Sequence, residues 1–342
     1  MVKSTLVKAT PRSATPGPIG AFSAVAAGFD RIAARPILLL PPLLLDIFLW
    51  LGPHLRIRDI IRESLRALVL PPMPDSATAE QLAEFKRALE VLAERFNLFS
   101  ALSSLPTGIP SLMAARMPLD SPMGPAGMIE VQHPLPASFV WIGLTALGLG
   151  LGALFQVGVA RQLAPQAELP SGWAVWVRFI LFALVVYGGL TLITAGSLLL
   201  ATLATLILPI IGLGVAFLAL SFTFWLAIYL AFTPHGIVRY RLGVLKAMTE
   251  SVLLVRVNLL ATVGFLGVVF GLSWLANQVW VLPEETSWLS LLAVVGHAFV
   301  SATLLAASFA FYQGRREWLM AVRKKGLTAM SPPQSGAPSG EG

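Results

Sequence analysis

Residues 179 to 232 read FILFALVVYGGLTLITAGSLLLATLATLILPIIGLGVAFLALSFTFWLAIYLAF, more than fifty residues without a charged side chain. The hydrocarbon core of a bilayer is about 30 Å thick and is crossed by roughly 20 apolar helical residues. Pro209 interrupts the stretch, because proline lacks the N–H and the space that a continuing helix needs. The stretch therefore predicts two antiparallel membrane-spanning helices joined by a short turn.

Four further apolar stretches lie outside this pair, which gives six predicted spans and an all-α fold, a polytopic membrane helical bundle. The first span is short and contains Asp46, the only carboxylate within a span. The predicted spans cover about 36–52, 136–160, 177–206, 210–232, 254–275 and 288–313.

The composition agrees with a membrane protein. The chain is 56% hydrophobic and 12% charged, with a mean hydropathy of +0.78, whereas soluble domains are roughly 45–50% apolar and about 25% charged. These values exclude a soluble globule and a disordered chain. The absence of cysteine excludes disulfides and thiolate metal sites.

The basic residues predict the orientation of the spans. Sixteen of the 24 lysines and arginines precede span 1, follow span 6, or lie in the connections between spans 2 and 3 and spans 4 and 5. The positive-inside rule then places both termini in the cytoplasm. We therefore expect the basic residues to contact anionic membrane lipids, and no nucleic acid is required as a partner.

The predicted spans divide the chain into segments. Residues 1–35 form a cytoplasmic N-terminal tail, 53–135 an external helical segment, 136–313 the remaining spans, and 314–342 a basic and then disordered C-terminal tail. The external segment carries a helix with apolar residues at intervals of three and four, which favours packing against another helix. These candidate partner-binding residues are Leu82, Phe85, Leu89, Leu92, Phe96 and Phe99. The interpretations are packing on the chain itself, self-association, or docking of another protein.

An irregular, proline-rich stretch ends the external segment and contains four methionines and His133. Thioether and imidazole ligands suit Cu(I), but methionine is also a common apolar filler at protein contacts. The spacing defines no metal site, so we expect no metal or cofactor. Nucleotide-binding, metalloprotease and serine-hydrolase motifs do not occur, so we expect no enzymatic activity.

Polar residues within spans are the candidate functional positions, since they are costly in a bilayer. The two interpretations are contacts between helices and a polar pathway across the bundle. The candidates are Asp46, Gln156, Thr194, His297 and Ser301.

Counting residues along the spans puts Asp46 near the external end and His297 closer to the middle. We therefore expect the two side chains to be too far apart for a direct pair, and His297 to be structural, with Ser301, one turn away, or a threonine of span 3 as its partner.

Residues 239 to 258 read RYRLGVLKAMTESVLLVRVN and predict a cytoplasmic interfacial helix near 238–253. Gly243-Val-x-x-Ala-x-x-x-Ser251 followed by Arg256-x-Asn258 resembles a pattern in bacterial multispan membrane proteins similar to the membrane domain attached to some glycerophosphodiester phosphodiesterases. The resemblance covers about twenty residues. It implies a six-helix architecture and carries over no catalytic residue.

These patterns favour a non-enzymatic scaffold or accessory subunit that engages lipid or protein partners. The alternative hypothesis is a transporter of small solutes or lipids with a polar cavity at the membrane midplane.

Overall fold

The computed structural model describes residues 17–67, 76–104, 107–163 and 165–330, without the side chains of 76–79, 81–82 and 325–330. This part of the chain is mainly helical, which confirms the predicted helical bundle. Its α-helices are α1 (Ala21–Ala33), α2 (Leu40–Leu51), α3 (Arg58–Ala67), α4 (Ser76–Arg95), α5 (Leu112–Arg116), α6 (Pro134–Leu163), α7 (Gly172–Ile207), α8 (Pro209–Leu230), α9 (Thr233–Tyr240), α10 (Val244–Val257), α11 (Leu259–Trp280) and α12 (Ser290–Met330).

Short elements connect the helices near α2 and α5. Residues Pro36–Leu39 and Leu98–Ser103 form 3₁₀ helices. Strands β1 (His54–Arg56), β2 (Asp120–Ser121), β3 (Gly124–Pro125) and β4 (Met128–Glu130) form two small ladders, in which β1 pairs in parallel with β4 and β2 pairs antiparallel with β3.

Five helical stretches are long and apolar enough to cross a membrane: Pro134–Leu163, Gly172–Ile207, Pro209–Tyr240, Leu259–Trp280 and Ser290–Lys324. A sixth candidate is the pair formed by α1 and the helix Pro36–Leu51, which meet at an angle of 99°. The spans α7 and α8 begin and end close to their predicted bounds, and Pro209 is the first residue of α8.

Helix α1 lies within residues 1–35, which the sequence analysis treats as a tail. It packs lengthwise on α12, where Gly28 fits against the backbone of Thr303 and Ala307. Phe29 contacts the ring of Phe299 edge-on at 5.3 Å. The small residues on one face of α1 allow this close approach, so the first span enters the bundle through a helix that already lies on α12.

The two ends of the bundle differ in chemistry. At one end, the Glu285 side chain accepts hydrogen bonds from Arg95 at 2.9 Å and from the backbone N–H of Leu119 at 3.2 Å. This glutamate joins the α11–α12 loop to the segment between α2 and α6. The opposite end carries the basic residues that follow α9 and those near residue 315 of α12, including the Arg316–Glu250 ion pair at 2.5 Å.

Candidate functional site

The central feature of the bundle is a segment that folds back into it, from the 3₁₀ helix Leu98–Ser103 to α5. Its backbone lies against α6, so closely that a methyl group at Gly148 would meet Leu102 and one at Gly152 would meet Thr107. Leu102, Thr107 and Met113 are all buried. We call residues 98–104 and 107–116 the inserted segment.

The contacts with α6 give the position of the inserted segment along that helix. Gly148 lies halfway along α6, which has 30 residues. The inserted segment therefore packs beside the central part of a candidate membrane span, whereas the sequence predicts residues 53–135 as an external segment. Its helical pieces are too short to be recognised as spans by length and hydropathy.

Irregular backbone packed between apolar helices needs hydrogen-bond partners from the protein, because lipid offers none. Gln156 Nε2 donates to the carbonyl oxygen of Thr107 at 3.1 Å. Ser103 donates its hydroxyl to the carbonyl of Ile109 at 2.6 Å. Asp46 Oδ1 accepts the backbone N–H of Met113 at 2.9 Å. Two of the predicted intramembrane polar residues thus bind the backbone of the inserted segment.

Asp46 is fully buried on α2 and caps the beginning of α5. Its Oδ1 accepts the Ser111 hydroxyl at 2.5 Å in addition to the Met113 N–H. The Ser111 hydroxyl oxygen in turn accepts the N–H of Ala114 at 3.0 Å, as an N-cap residue does. The aspartate therefore supplies an anionic acceptor to a helix N-terminus.

The second oxygen of Asp46 faces His297. The distance between Asp46 Oδ2 and His297 Nδ1 is 3.7 Å, and neither atom has a hydrogen-bond partner among the described residues. The expectation that the two residues are too far apart is wrong. Trp50, one turn after Asp46, donates to the carbonyl of Glu285, so the C-terminal end of α2 lies beside the start of α12 and the two side chains come to one level.

Ser301 contacts the other ring nitrogen of His297, with 3.3 Å between Ser301 Oγ and His297 Nε2. The one-turn spacing on α12 predicts this contact. The structure therefore brings Asp46, His297 and Ser301 together, and Gln156 holds the same inserted segment from α6. Thr194 is not part of this group, because it lies exposed on α7.

The polar group is packed between helices and lies outside five pockets that described residues form. Five pockets of 270 to 700 Å³ are formed by described residues, and none of these five has Asp46, Gln156 or His297 in its lining. In the residues that the structure describes, no group of three or more histidine, aspartate or glutamate side chains could hold a metal ion. Among the methionines near His133, Met113 is buried whereas Met123 and Met128 are exposed.

The predicted partner-binding helix is α4, which packs on α3 through Glu94, the ion-pair partner of Arg58 and Arg62. Phe85 and Leu92 are 57% and 41% exposed. Leu89, Phe96 and Phe99 are half-buried, and Phe99 contacts Phe48 edge-on at 5.2 Å. The side chain of Leu82 lies outside the described residues. The predicted apolar seam is thus partly used within the chain and partly exposed.

A second polar cluster joins α10 to α12, and none of its residues is among the candidate positions predicted from the sequence. Glu250 accepts hydrogen bonds from Tyr312 at 2.6 Å and from Arg316 at 2.5 Å. Burial alone would raise the pKa of Glu250, but the hydrogen bonds from Arg316 and Tyr312 outweigh burial and hold this pKa below its usual value. The i, i+4 spacing of Tyr312 and Arg316 is the only sequence signal for this cluster.

The residues that carry the family resemblance have structural contacts. Ser251 donates its hydroxyl to the carbonyl of Tyr229 at 2.7 Å and accepts the N–H of Phe232 at 3.2 Å. It therefore supplies hydrogen-bond partners to two backbone groups at the break between α8 and α9. Asn258 caps α10 at Leu254 and accepts a hydrogen bond from Arg315 at 3.3 Å. These contacts give Ser251 and Asn258 structural roles at the helix connections.

Comparison of the chain with protein-family models, with curated proteins and with solved structures gives no match.

Proposed function

We propose that the protein is a multispan protein of the bacterial cytoplasmic membrane that acts as a non-enzymatic scaffold or accessory subunit. The observation that carries this proposal is the exposed apolar face of α4, formed by Phe85 and Leu92. We call α3 and α4 together the outer hairpin. The similarity of residues 239–258 to the membrane domain of some phosphodiesterases supports a shared helix connection and no shared reaction.

Ion pairs fix the outer hairpin to the rest of the chain, and the apolar side chains of Phe85 and Leu92 remain exposed. Arg95 on α4 forms an ion pair with Glu285 at 2.9 Å, and Glu94 binds Arg62 on α3. An apolar groove of about 290 Å³ runs beneath the hairpin toward α6, between Ile60, Phe96 and Trp141. Apolar side chains on a fixed surface beside a groove are typical of a protein contact. We therefore propose that a helix of a protein partner docks here.

The orientation supports a partner on the external side of the membrane. The outer hairpin lies at the end that Glu285 joins and carries both acidic and basic residues, and the basic residues near Arg241 and Arg316 lie at the other end. By the positive-inside rule this arrangement favours cytoplasmic termini. Reporter fusions after residue 90 and at the C-terminus test this orientation.

Site-specific photocrosslinking in intact membranes tests the partner proposal. A photoreactive residue at Phe85 should give a discrete adduct, whereas the same residue at Arg87, exposed on the same helix, should not. Phe85→Glu should abolish the contact and Arg87→Glu should preserve it. Equal yields at both positions, or no adduct at either, would refute the proposal. An adduct of two copies of the chain would identify the partner as a second copy.

The direct approach of Asp46 and His297 favours a second candidate function, an ion-coupled transporter. A buried carboxylate beside an imidazole is a common arrangement for proton transfer in membranes. Proteoliposomes with a pH-sensitive dye inside test this candidate. Transport predicts a proton flux that Asp46→Asn abolishes, and the scaffold predicts the same leak for both proteins and for empty liposomes.

A further inference from the structure

A surface groove lies between the N-terminal parts of α7 and α10. It has a volume of about 700 Å³ and is lined by Trp173, Val177 and Arg178 of α7 and by Val244, Leu245 and Lys246 of α10. Two cations therefore face one groove.

Arg178 has no partner among the described residues. Its guanidinium makes no hydrogen bond or ion pair with any of them, and its Nη1 is buried. A buried guanidinium nitrogen is costly unless an anion or water reaches it. The groove is thus short of one anionic ligand.

An apolar cavity lies between α7, α8 and α10. It has a volume of about 410 Å³, with Val186, Gly189, Leu226 and Met248 in its lining. The groove and the cavity share no lining residue, but their linings come within one or two residues of each other on both helices, at Leu181 and Phe182 of α7 and at Lys246 and Met248 of α10.

We infer that this groove and cavity form a binding site for an anionic phospholipid, with the phosphate at Arg178 and Lys246 and an acyl chain beside Gly189. A guanidinium binds phosphate through two parallel hydrogen bonds. Trp173 is 67% exposed in the groove, and tryptophan is enriched at the headgroup level. The charge of the site selects an anionic headgroup, and the cavity distinguishes a lipid from a free phosphate. This inference does not depend on the outer hairpin.

Thermal unfolding of the full chain in mild detergent tests the site. Phosphatidylglycerol should raise the unfolding temperature in a concentration-dependent way, and phosphatidylcholine and inorganic phosphate should not. Arg178→Gln should weaken the apparent affinity for phosphatidylglycerol about tenfold, as expected for the loss of a charge-assisted hydrogen bond. Arg256→Gln is the matched control, since Arg256 is exposed on α10 outside the groove.

A pair of glycine variants tests the cavity separately. Gly188 and Gly189 both have free space for a side chain, but only Gly189 lines the cavity. Gly189→Leu should reduce the effect of phosphatidylglycerol and Gly188→Leu should leave it unchanged. The inference is overturned if Arg178→Gln and Arg256→Gln respond alike, if inorganic phosphate stabilises as phosphatidylglycerol does, or if the two glycine variants respond alike. If Arg178→Gln does not fold, the comparison of the two glycine variants tests the lipid site by itself.

Discussion

His297 Nδ1 lies 3.7 Å from Asp46 Oδ2, and the other oxygen of Asp46 accepts hydrogen bonds from Ser111 and from the N–H of Met113. The carboxylate thus connects α12 to the inserted segment through α2. This relationship gives the buried aspartate a structural role, because the residue caps a helix that has few other polar partners. The following predictions separate this role from one in transport.

Asp46 is expected to stabilise the folded protein mainly through its acceptor oxygen. Asp46→Ala removes the cap of α5 and should destabilise the protein by about 1–2 kcal/mol. Asp46→Asn keeps one acceptor oxygen and should cost less. Unfolding in detergent, followed by circular dichroism, measures both. If Asp46→Asn is as damaging as Asp46→Ala, the negative charge matters more than the cap.

His297 is expected to contribute little to stability. Its Nδ1 is beyond hydrogen-bond distance of Asp46, and its contact with Ser301 is a bond of the kind that averages about 0.6 kcal/mol in membranes. His297→Gln should therefore change the free energy of unfolding by less than about 1 kcal/mol. Loss of a measurable activity in a folded His297→Gln protein would favour the polar-pathway interpretation.

The close contact of α6 with the inserted segment predicts a strong effect of small substitutions. Gly148→Ala and Gly152→Ala place a methyl group against the backbone of Leu102 and Thr107, and should each cost about 1–3 kcal/mol. Gly143 on the same helix has open space, so Gly143→Ala is the control. Equal stability of the three variants in the unfolding assay would argue against this packing.

The Glu250–Arg316 pair predicts a pH dependence. The pKa of Glu250 is lowered in the folded protein, so its contribution is present above the unfolded-state pKa of about 4.3 and is lost as pH falls through the folded-state value. Glu250→Gln should cost about 1 kcal/mol at pH 7, allowing for partial solvent access. Below about pH 4, the stability of the Glu250→Gln variant should fall less than that of the wild-type protein. Glu317→Gln, at an exposed position on α12, should behave like the wild-type protein.

The sequence predicts the long spans because their hydropathy and the position of Pro209 depend only on local residues. It also predicts the Ser301–His297 contact, since residues four apart on a helix are neighbours. It does not predict the inserted segment, because the 3₁₀ helix Leu98–Ser103 and α5 are short and acquire their hydrogen-bond partners only through tertiary contacts with Asp46 and Gln156. The error in the Asp46–His297 distance has the same origin, since the register between α2 and α12 is a tertiary property.

The insertion of residues 98–104 and 107–116 is tested most directly by cysteine labelling, for which the chain provides a cysteine-free background. Single cysteines replace Thr107, which is 1% exposed, and Met123, which is 73% exposed. A membrane-impermeant maleimide should label the cysteine at 123 rapidly and leave the one at 107 unlabelled until the protein is denatured. Labelling of both positions at the same rate in the folded protein would contradict the inserted segment and the structural role of Asp46 and Gln156.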